Sequence, residues 1–195
     1  NLGDDSVLLE TMYSANWVCP YGRDLTLTYM TSAWGTEYNI EKQPLNQSPV
    51  LLESRAGVSN ATTFPYFAVD KNATEDSGEV WFGSLQYSGN WQIKAGRDRN
   101  ANPQILGGIS DFNTTYSLEG GEEFTTPVFT GGYVNKGFGE SKRQFHDYIR
   151  KTSKSVWTNK VIPAVYNSWG TFAFDIDEKL LLDQAKRAKD AGMEV

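Results

Sequence analysis

Asn167 and Trp169 are the residues of this chain best suited to holding a neutral polyol. They close the apolar run Val161-Ile162-Pro163-Ala164-Val165-Tyr166. A tryptophan face stacks on the C–H side of a pyranose ring, and an asparagine offers sugar hydroxyls both a donor and an acceptor. If the run is a strand of a βα-barrel, both residues stand at its C-terminal end, where such barrels keep their active sites. Three close sets of carboxylates could each be nominated as a catalytic pair: Asp4-Asp5, Glu122-Glu123, and Asp175 with Asp177. A glycosidase needs two carboxyl groups flanking the scissile bond. The first set lies at a terminus and the second in a turn, and the third reads better as loop and helix N-cap residues. No catalytic pair is therefore assigned.

Cys19 and His146 each occur once. That excludes an intrachain disulfide and a metal site built on cysteine or histidine, so no metal ligand and no cofactor is assigned. A Ser-His-Asp triad would have to use His146, which reads instead as a partly buried helical position. The glycine-rich pieces Leu106-Gly107-Gly108 and Thr130-Gly131-Gly132 lack phosphate-binding spacing and read as turns. The aromatics Trp81, Phe82, Tyr87 and Trp91 around the Gly89-Asn90 hairpin read as core more readily than as a lectin-like platform.

Composition narrows the partners. A net charge of −6 over 195 residues provides no basic stripe to neutralise phosphates, which argues against nucleic acid. Aromatics at 13 % and 18 glycines suit a turn-rich β-protein that meets carbohydrate. No signal peptide and no run long enough to cross a membrane is visible, so no membrane partner is expected. Four N-glycosylation sequons begin at Asn46, Asn60, Asn72 and Asn113, and they point to a secreted, extracellular glycoprotein.

The elements that must position these residues follow from the hydrophobic pattern. Val7 to Tyr13, Leu25 to Met30, Val50 to Ser54, Tyr66 to Val69, Glu79 to Ser88, Trp91 to Ala95, Tyr116 to Leu118 and Phe124 to Tyr133 read as short strands separated by turn signals. Such spacing predicts an antiparallel β-sandwich over residues 1–139. Residues 140–160 read as a linker helix, with Phe145, Tyr148 and Ile149 on one face, followed by a polar linker. Residues 161–195 read as the start of a barrel: a strand ending near Trp169, a helix capped by Asp177 and stopped by Gly192, and a second strand beginning at Met193-Glu194-Val195. The fold class is thus mainly β, a sandwich followed by a linker helix and the first βαβ of a truncated (β/α)8 barrel. One and a half βα units cannot cover a parallel sheet, so the chain is expected to be a piece of something larger.

With these residues assembled, the chain resembles the α-galactosidases of glycoside hydrolase family 36. Pro163-Ala164-Val165-Tyr166-Asn167-Ser168-Trp169, followed by Phe174-Asp175, is similar to the family's entry into its barrel. The stretch Glu79-Val80-Trp81-Phe82-Gly83-Ser84-Leu85-Gln86-Tyr87-Ser88-Gly89-Asn90-Trp91 is similar to its long sandwich hairpin. Ser32-Ala33-Trp34-Gly35 and Leu52-Glu53-Ser54-Arg55-Ala56-Gly57 match two further sandwich motifs. Two departures stand out. Gly170 and Thr171 follow the tryptophan where the family usually has Glu and a small residue, and Ser59 to Phe67 replaces a Ser-His-x-x-Asn-Pro-Phe run. The second suggests a divergent, fungal-type branch.

The resemblance implies an internal fragment of a retaining, cofactor-free enzyme that hydrolyses terminal α-galactosides of raffinose-type oligosaccharides. The family's catalytic aspartates belong to later strands, so the chain alone is expected to be inactive. Trp169, with Asn167 beside it, is the substrate contact carried over. An α-N-acetylgalactosaminidase, a galactosyl transferase such as a raffinose synthase, and a stand-alone galactose-binding sandwich are the alternatives. The sandwich of large family members helps build oligomers, so the resemblance implies a homo-oligomer for the intact enzyme.

Overall fold

The computed structural model describes residues 1–19, 24–60, 62–156, 160–162 and 164–193. Eleven strands come first among these residues. They are β1 (Val7–Leu9), β2 (Tyr13–Val18), β3 (Thr26–Thr31), β4 (Asn39–Pro44), β5 (Val50–Ser54), β6 (Thr63–Asp70), β7 (Val80–Gln86), β8 (Trp91–Arg97), β9 (Pro103–Ile109), β10 (Tyr116–Leu118) and β11 (Val128–Val134). Helices α1 (Gly137–Thr152), α2 (Trp169–Phe172) and α3 (Glu178–Asp190) follow. The chain divides into two compact units, Asn1–His146 and Asp147–Val195. No described helix is long and apolar enough to cross a membrane.

In the first unit a five-stranded sheet, β11-β7-β6-β3-β4, faces a four-stranded one, β2-β9-β8-β5, and β1 pairs with β10. All these ladders are antiparallel. The alternation of each strand decides what lies between the sheets. Leu27, Phe67, Val69 and Leu85 enter from one side, and Leu52, Trp91, Ile93 and Ile105 from the other. Each such side chain contributes roughly 1.5–3 kcal/mol by leaving water. The outward residues of β6 and β7 are also apolar, because a second layer covers them: Ala68, Val80, Phe82 and Val134 pack with Tyr66, Phe138 and Phe145. Phe145 of α1 meets Tyr66 and Phe82 edge-on, with centroids 6.1 Å apart in both pairs.

Several sequence expectations change in the fold. The segment Val7 to Tyr13 is not one strand. β1 pairs with β10 and β2 with β9, and the chain turns between them at Met12, whose carbonyl accepts the Ile109 N–H at 3.1 Å. The two Gly-Gly pieces are strand interiors rather than turns. A Cβ on Gly131 of β11 would fall inside the ring of Trp17 from the opposite sheet, and one on Gly107 of β9 would overlap Phe129. The glycines let the sheets approach while large rings fill the gap. Strands β4 and β9, and β2 beyond Tyr13, are additional to the expected set. The linker helix starts at Gly137, three residues before the expected boundary, because its first turn is held by the sandwich itself.

In the second unit Ile162 and Ala164 to Asn167 carry no ladder hydrogen bonds among the described residues, so the expected first barrel strand is present as an unpaired segment. A strand is defined by its neighbour, and no described strand is paired with this segment. Of the expected second strand, Met193 belongs to the stop of α3, and Glu194 and Val195 lie outside the described residues. Helix α3 forms as its local signals require. Asp177 Oδ1 accepts the Leu180 N–H at 2.7 Å. At the other end Gly192 (φ +83°) donates to the Lys189 carbonyl and Met193 to that of Ala188, a Schellman stop.

Candidate functional site

Trp169 opens the one-turn helix α2, and Asn167 is tied directly to it. The Asn167 side-chain oxygen accepts the Trp169 N–H at 2.9 Å, so the carboxamide orients the backbone that carries the indole. Ser168 receives the Phe172 N–H at 2.9 Å and closes the turn. Ala173 then takes a positive φ of 48°, which folds Phe174 back onto Trp169. Their rings stand edge to face at 4.9 Å and 89°. The indole remains 55 % exposed. The arrangement is an aromatic corner on an open segment, able to stack on one face of a sugar ring, with a carboxamide at its base.

Asp175 and Asp177 do not form a catalytic pair. Asp177 is consumed as the N-cap of α3, and Glu178 sits in the first turn, where a negative charge meets the helix dipole. Glu122 and Glu123 lie at the turn after β10, where the Glu122 side chain accepts the Glu119 N–H at 2.9 Å. Among the described residues no group of three or more His, Cys, Asp or Glu side chains is placed to hold a metal ion.

The hairpin aromatics are core. Trp91 is fully buried and donates its indole N–H to the Ser59 carbonyl at 2.6 Å. Phe82 is buried under α1, and Trp81 and Tyr87 pack against the inter-sheet core. The hairpin aromatics therefore form no exposed platform for a galactose-binding sandwich. His146 is exposed rather than partly buried. It stands at the rim of a groove of about 600 Å³ between α1 and the outer face of the five-stranded sheet, lined by Thr28, Met30, Tyr66, Phe138 and Phe145 among others. The groove lining has no aspartate or glutamate among the described residues, so it offers no carboxyl pair for glycoside hydrolysis. Cys19 is buried, and burial pushes its thiol up to about 11, which leaves it a poor nucleophile.

One polar cluster escapes sequence reasoning. On the outer face of the four-stranded sheet, Lys94 Nζ donates to the Tyr13 hydroxyl at 2.6 Å and to Asp111 Oδ2 at 3.2 Å. The Tyr13 hydrogen bond holds the ammonium above the usual lysine range, and the Gln92 side chain, with Lys94, holds Asp111 below the usual carboxylate range. The only signal in the sequence is the alternation of Gln92 and Lys94 with Trp91, Ile93 and Ala95. The four partners are up to 98 positions apart (13 to 111), so only the fold assembles them.

The comparisons with known proteins run through both units. A family model described as "Glycosyl hydrolase family 36 N-terminal domain" matches residues 1–119, and one described as "Melibiase" matches residues 123–195. The chain is 31 % identical over 174 residues to alpha-galactosidase AgaA of Geobacillus stearothermophilus, covering 88 % of this chain and 24 % of that protein. It is 27 % identical over its full length to alpha-galactosidase Mel36A of Lactobacillus acidophilus, covering 27 % of that protein. The crystal structure of an AgaA variant in complex with stachyose superposes with a TM-score of 0.88 at 29 % identity, over 100 % of this chain and 27 % of that one. A second AgaA variant, in complex with raffinose, gives 0.89 with the same coverage. This chain thus spans about a quarter of the length of these relatives. The architecture, a mainly antiparallel sandwich followed by the start of a barrel, is theirs.

Proposed function

Because the chain belongs to glycosyl hydrolase family 36, we propose that it works as part of an α-galactosidase that removes terminal galactose from raffinose-type oligosaccharides with retention of configuration. The observation that carries this reading is the match of two family domains in succession along one chain, reinforced by its superposition on a stachyose-bound relative. Retention requires two carboxyl groups about 5 Å apart, one attacking the anomeric carbon and the other protonating the leaving oxygen. The family's catalytic aspartates belong to later strands, so the 195-residue chain alone is expected to leave an aryl α-galactoside intact.

In this reading Trp169 stacks on the sugar at the mouth of the barrel, and Asn167 holds it in place through the Trp169 N–H. The exposed indole and its edge contact to Phe174 support that role. The test uses an α-galactosidase that contains this segment. Trp169→Ala should raise KM for raffinose about tenfold, the loss of one stacking contact. Unchanged KM and kcat would remove Trp169 from the binding site. Raffinose left uncut, release of N-acetylgalactosamine instead, or transfer of galactose to a second sugar would each overturn the hydrolytic reading.

The same reading includes export from the cell, glycans on Asn46, Asn60, Asn72 and Asn113, and a homo-oligomeric whole enzyme. All four asparagines are exposed, and Asn72 and Asn113 occupy positive-φ turns, which supports accessible acceptors. A mass loss of the protein from its natural source on enzymatic deglycosylation checks the glycans, and an unchanged mass rejects them.

A further inference from the structure

The first turn of an α-helix leaves backbone N–H groups that a side-chain cap or water normally takes up. In α1 they go to a different part of the chain. Gly137 N–H donates to the Gly78 carbonyl, Phe138 N–H to that of Thr74 and Gly139 N–H to that of Glu75, each at 2.9 Å. All three acceptors belong to the turn between β6 and β7. The approach is closer than a side chain allows: a Cβ on Gly137 would lie 2.5 Å from the Thr74 oxygen and 2.6 Å from the Ser77 nitrogen, and its φ is +75°. Lys142, one turn along α1, reaches back to Glu75 at 3.0 Å.

The turn is built around two side chains. Thr74 Oγ1 accepts the Ser77 N–H at 3.1 Å and the Asp76 N–H at 3.3 Å. Asp70, the last residue of β6, accepts the Ala73 N–H on Oδ1 at 2.8 Å. Asp70 is only 3 % exposed, and its other oxygen, Oδ2, has no hydrogen-bond partner. A buried carboxyl with one oxygen unanswered is expensive to ionise. Lys42 on β4 acts on Asp70 through space, its own turn carries Lys71, Glu75 and Asp76, and Glu79 precedes β7. Lys136 is bridged to Gly78 of that turn, and Lys142 on α1 pairs with Glu75. Lys42 Nζ lies 4.9 Å over the Phe138 ring, under the start of the helix.

We propose that the turn over residues 71–78 is a clasp that seats α1 on the outer face of the five-stranded sheet, and that Asp70 is its ionisable latch. Protonated, Asp70 keeps the Ala73 contact and buries no charge. Ionised, it buries a charge that one N–H and one neighbouring ammonium offset in part. Burial raises its carboxyl above the ordinary 3.8, with the Ala73 hydrogen bond and Lys42 pulling the other way. The folded chain therefore binds this proton more tightly than the unfolded one. The latch's contribution is fully present below the unfolded value and is lost as pH rises through the raised one.

Hydrogen exchange and thermal melting of the full 195-residue chain test both halves. In Asp70→Ala the amides of Gly137, Phe138 and Gly139 should exchange about fivefold faster or more, while those of Ile93 and Ile105 keep their rates. Unchanged exchange at the three helix amides overturns the clasp. If Asp70→Ala fails to fold, Thr74→Val at an exposed position takes its place, with the same three amides as the readout. Asp70→Asn keeps an oxygen for Ala73 and carries no charge. Its Tm minus that of the wild type should grow by about 2 °C between pH 4 and pH 7. A difference that stays flat across that range overturns the latch.

Discussion

The two units of this chain are drawn from the same residue types and stand on different supports. In Asn1–His146 apolar residues are buried from several sides, and every buried apolar side chain among the described residues lies there. In Asp147–Val195 no described side chain is fully buried, and Val165 is 83 % and Phe174 87 % exposed. Yet α3 forms with both ends satisfied, while the apolar segment before Trp169 does not become a strand. A helix completes its hydrogen bonds within its own sequence, whereas a strand completes them only against a neighbour. The difference shows which kind of local signal survives without a core.

Paired substitutions of one residue type sharpen that contrast. Trp91→Ala, in the inter-sheet core, should cost about 3–5 kcal/mol of unfolding free energy in a urea titration. Trp169→Ala in the second unit should stay within about 0.5 kcal/mol. Equal losses would break the comparison. Glycines give the next largest effect. Gly131→Ala forces Trp17 out of its place and should cost about 1–3 kcal/mol. A Cβ on Gly170 meets nothing within 4 Å, so Gly170→Ala should be neutral or slightly stabilising for α2.

These same residues mark how far the sequence could be read. Val50–Ser54 and Tyr116–Leu118 are legible to the residue, because alternation and flanking turns define them locally. β4 was hidden, since Asn39-Ile40-Glu41-Lys42-Gln43-Pro44 is an edge strand whose exposed side chains follow no burial pattern. Gly107 and Gly131 looked like turns because the rings that require them, Phe129 and Trp17, lie on the opposite sheet. The family, and with it the reach from sandwich to barrel, was legible from motifs spread along the chain. For the site, the sequence put Asn167 beside Trp169 but not the hydrogen bond by which one holds the other. His146 is exposed because α1 is seated through Phe138 and Phe145, which leaves His146 at the open rim of the groove.

The second unit supplies the smaller predictions. Asp177→Ala removes the only side-chain cap of α3 and should cost about 1 kcal/mol of helix stability, visible as lost protection of the Leu180 amide. Gly192→Ala places a Cβ at φ +83° and should cost a comparable amount at the other end. If either change lowers the protection of Ile93 or Ile105 amides as well, the two units are not energetically separate, and the contrast drawn above fails.

The smallest effect is expected at Arg187, which pairs with Asp183 one turn earlier at 2.9 Å on the exposed surface of α3. The acidic residue precedes the basic one by four positions, the favourable order along a helix, and Arg187 also lies in the last turn, where a cation meets the negative end of the dipole. Both terms are screened in solvent, so Arg187→Ala should cost about 0.3–0.5 kcal/mol at low salt and nothing measurable in molar salt. A loss that persisted in molar salt would mean that Arg187 contributes through packed contacts and not through charge. The second unit would then have the beginnings of a core of its own, which the exposure of Leu181 and Leu182 argues against.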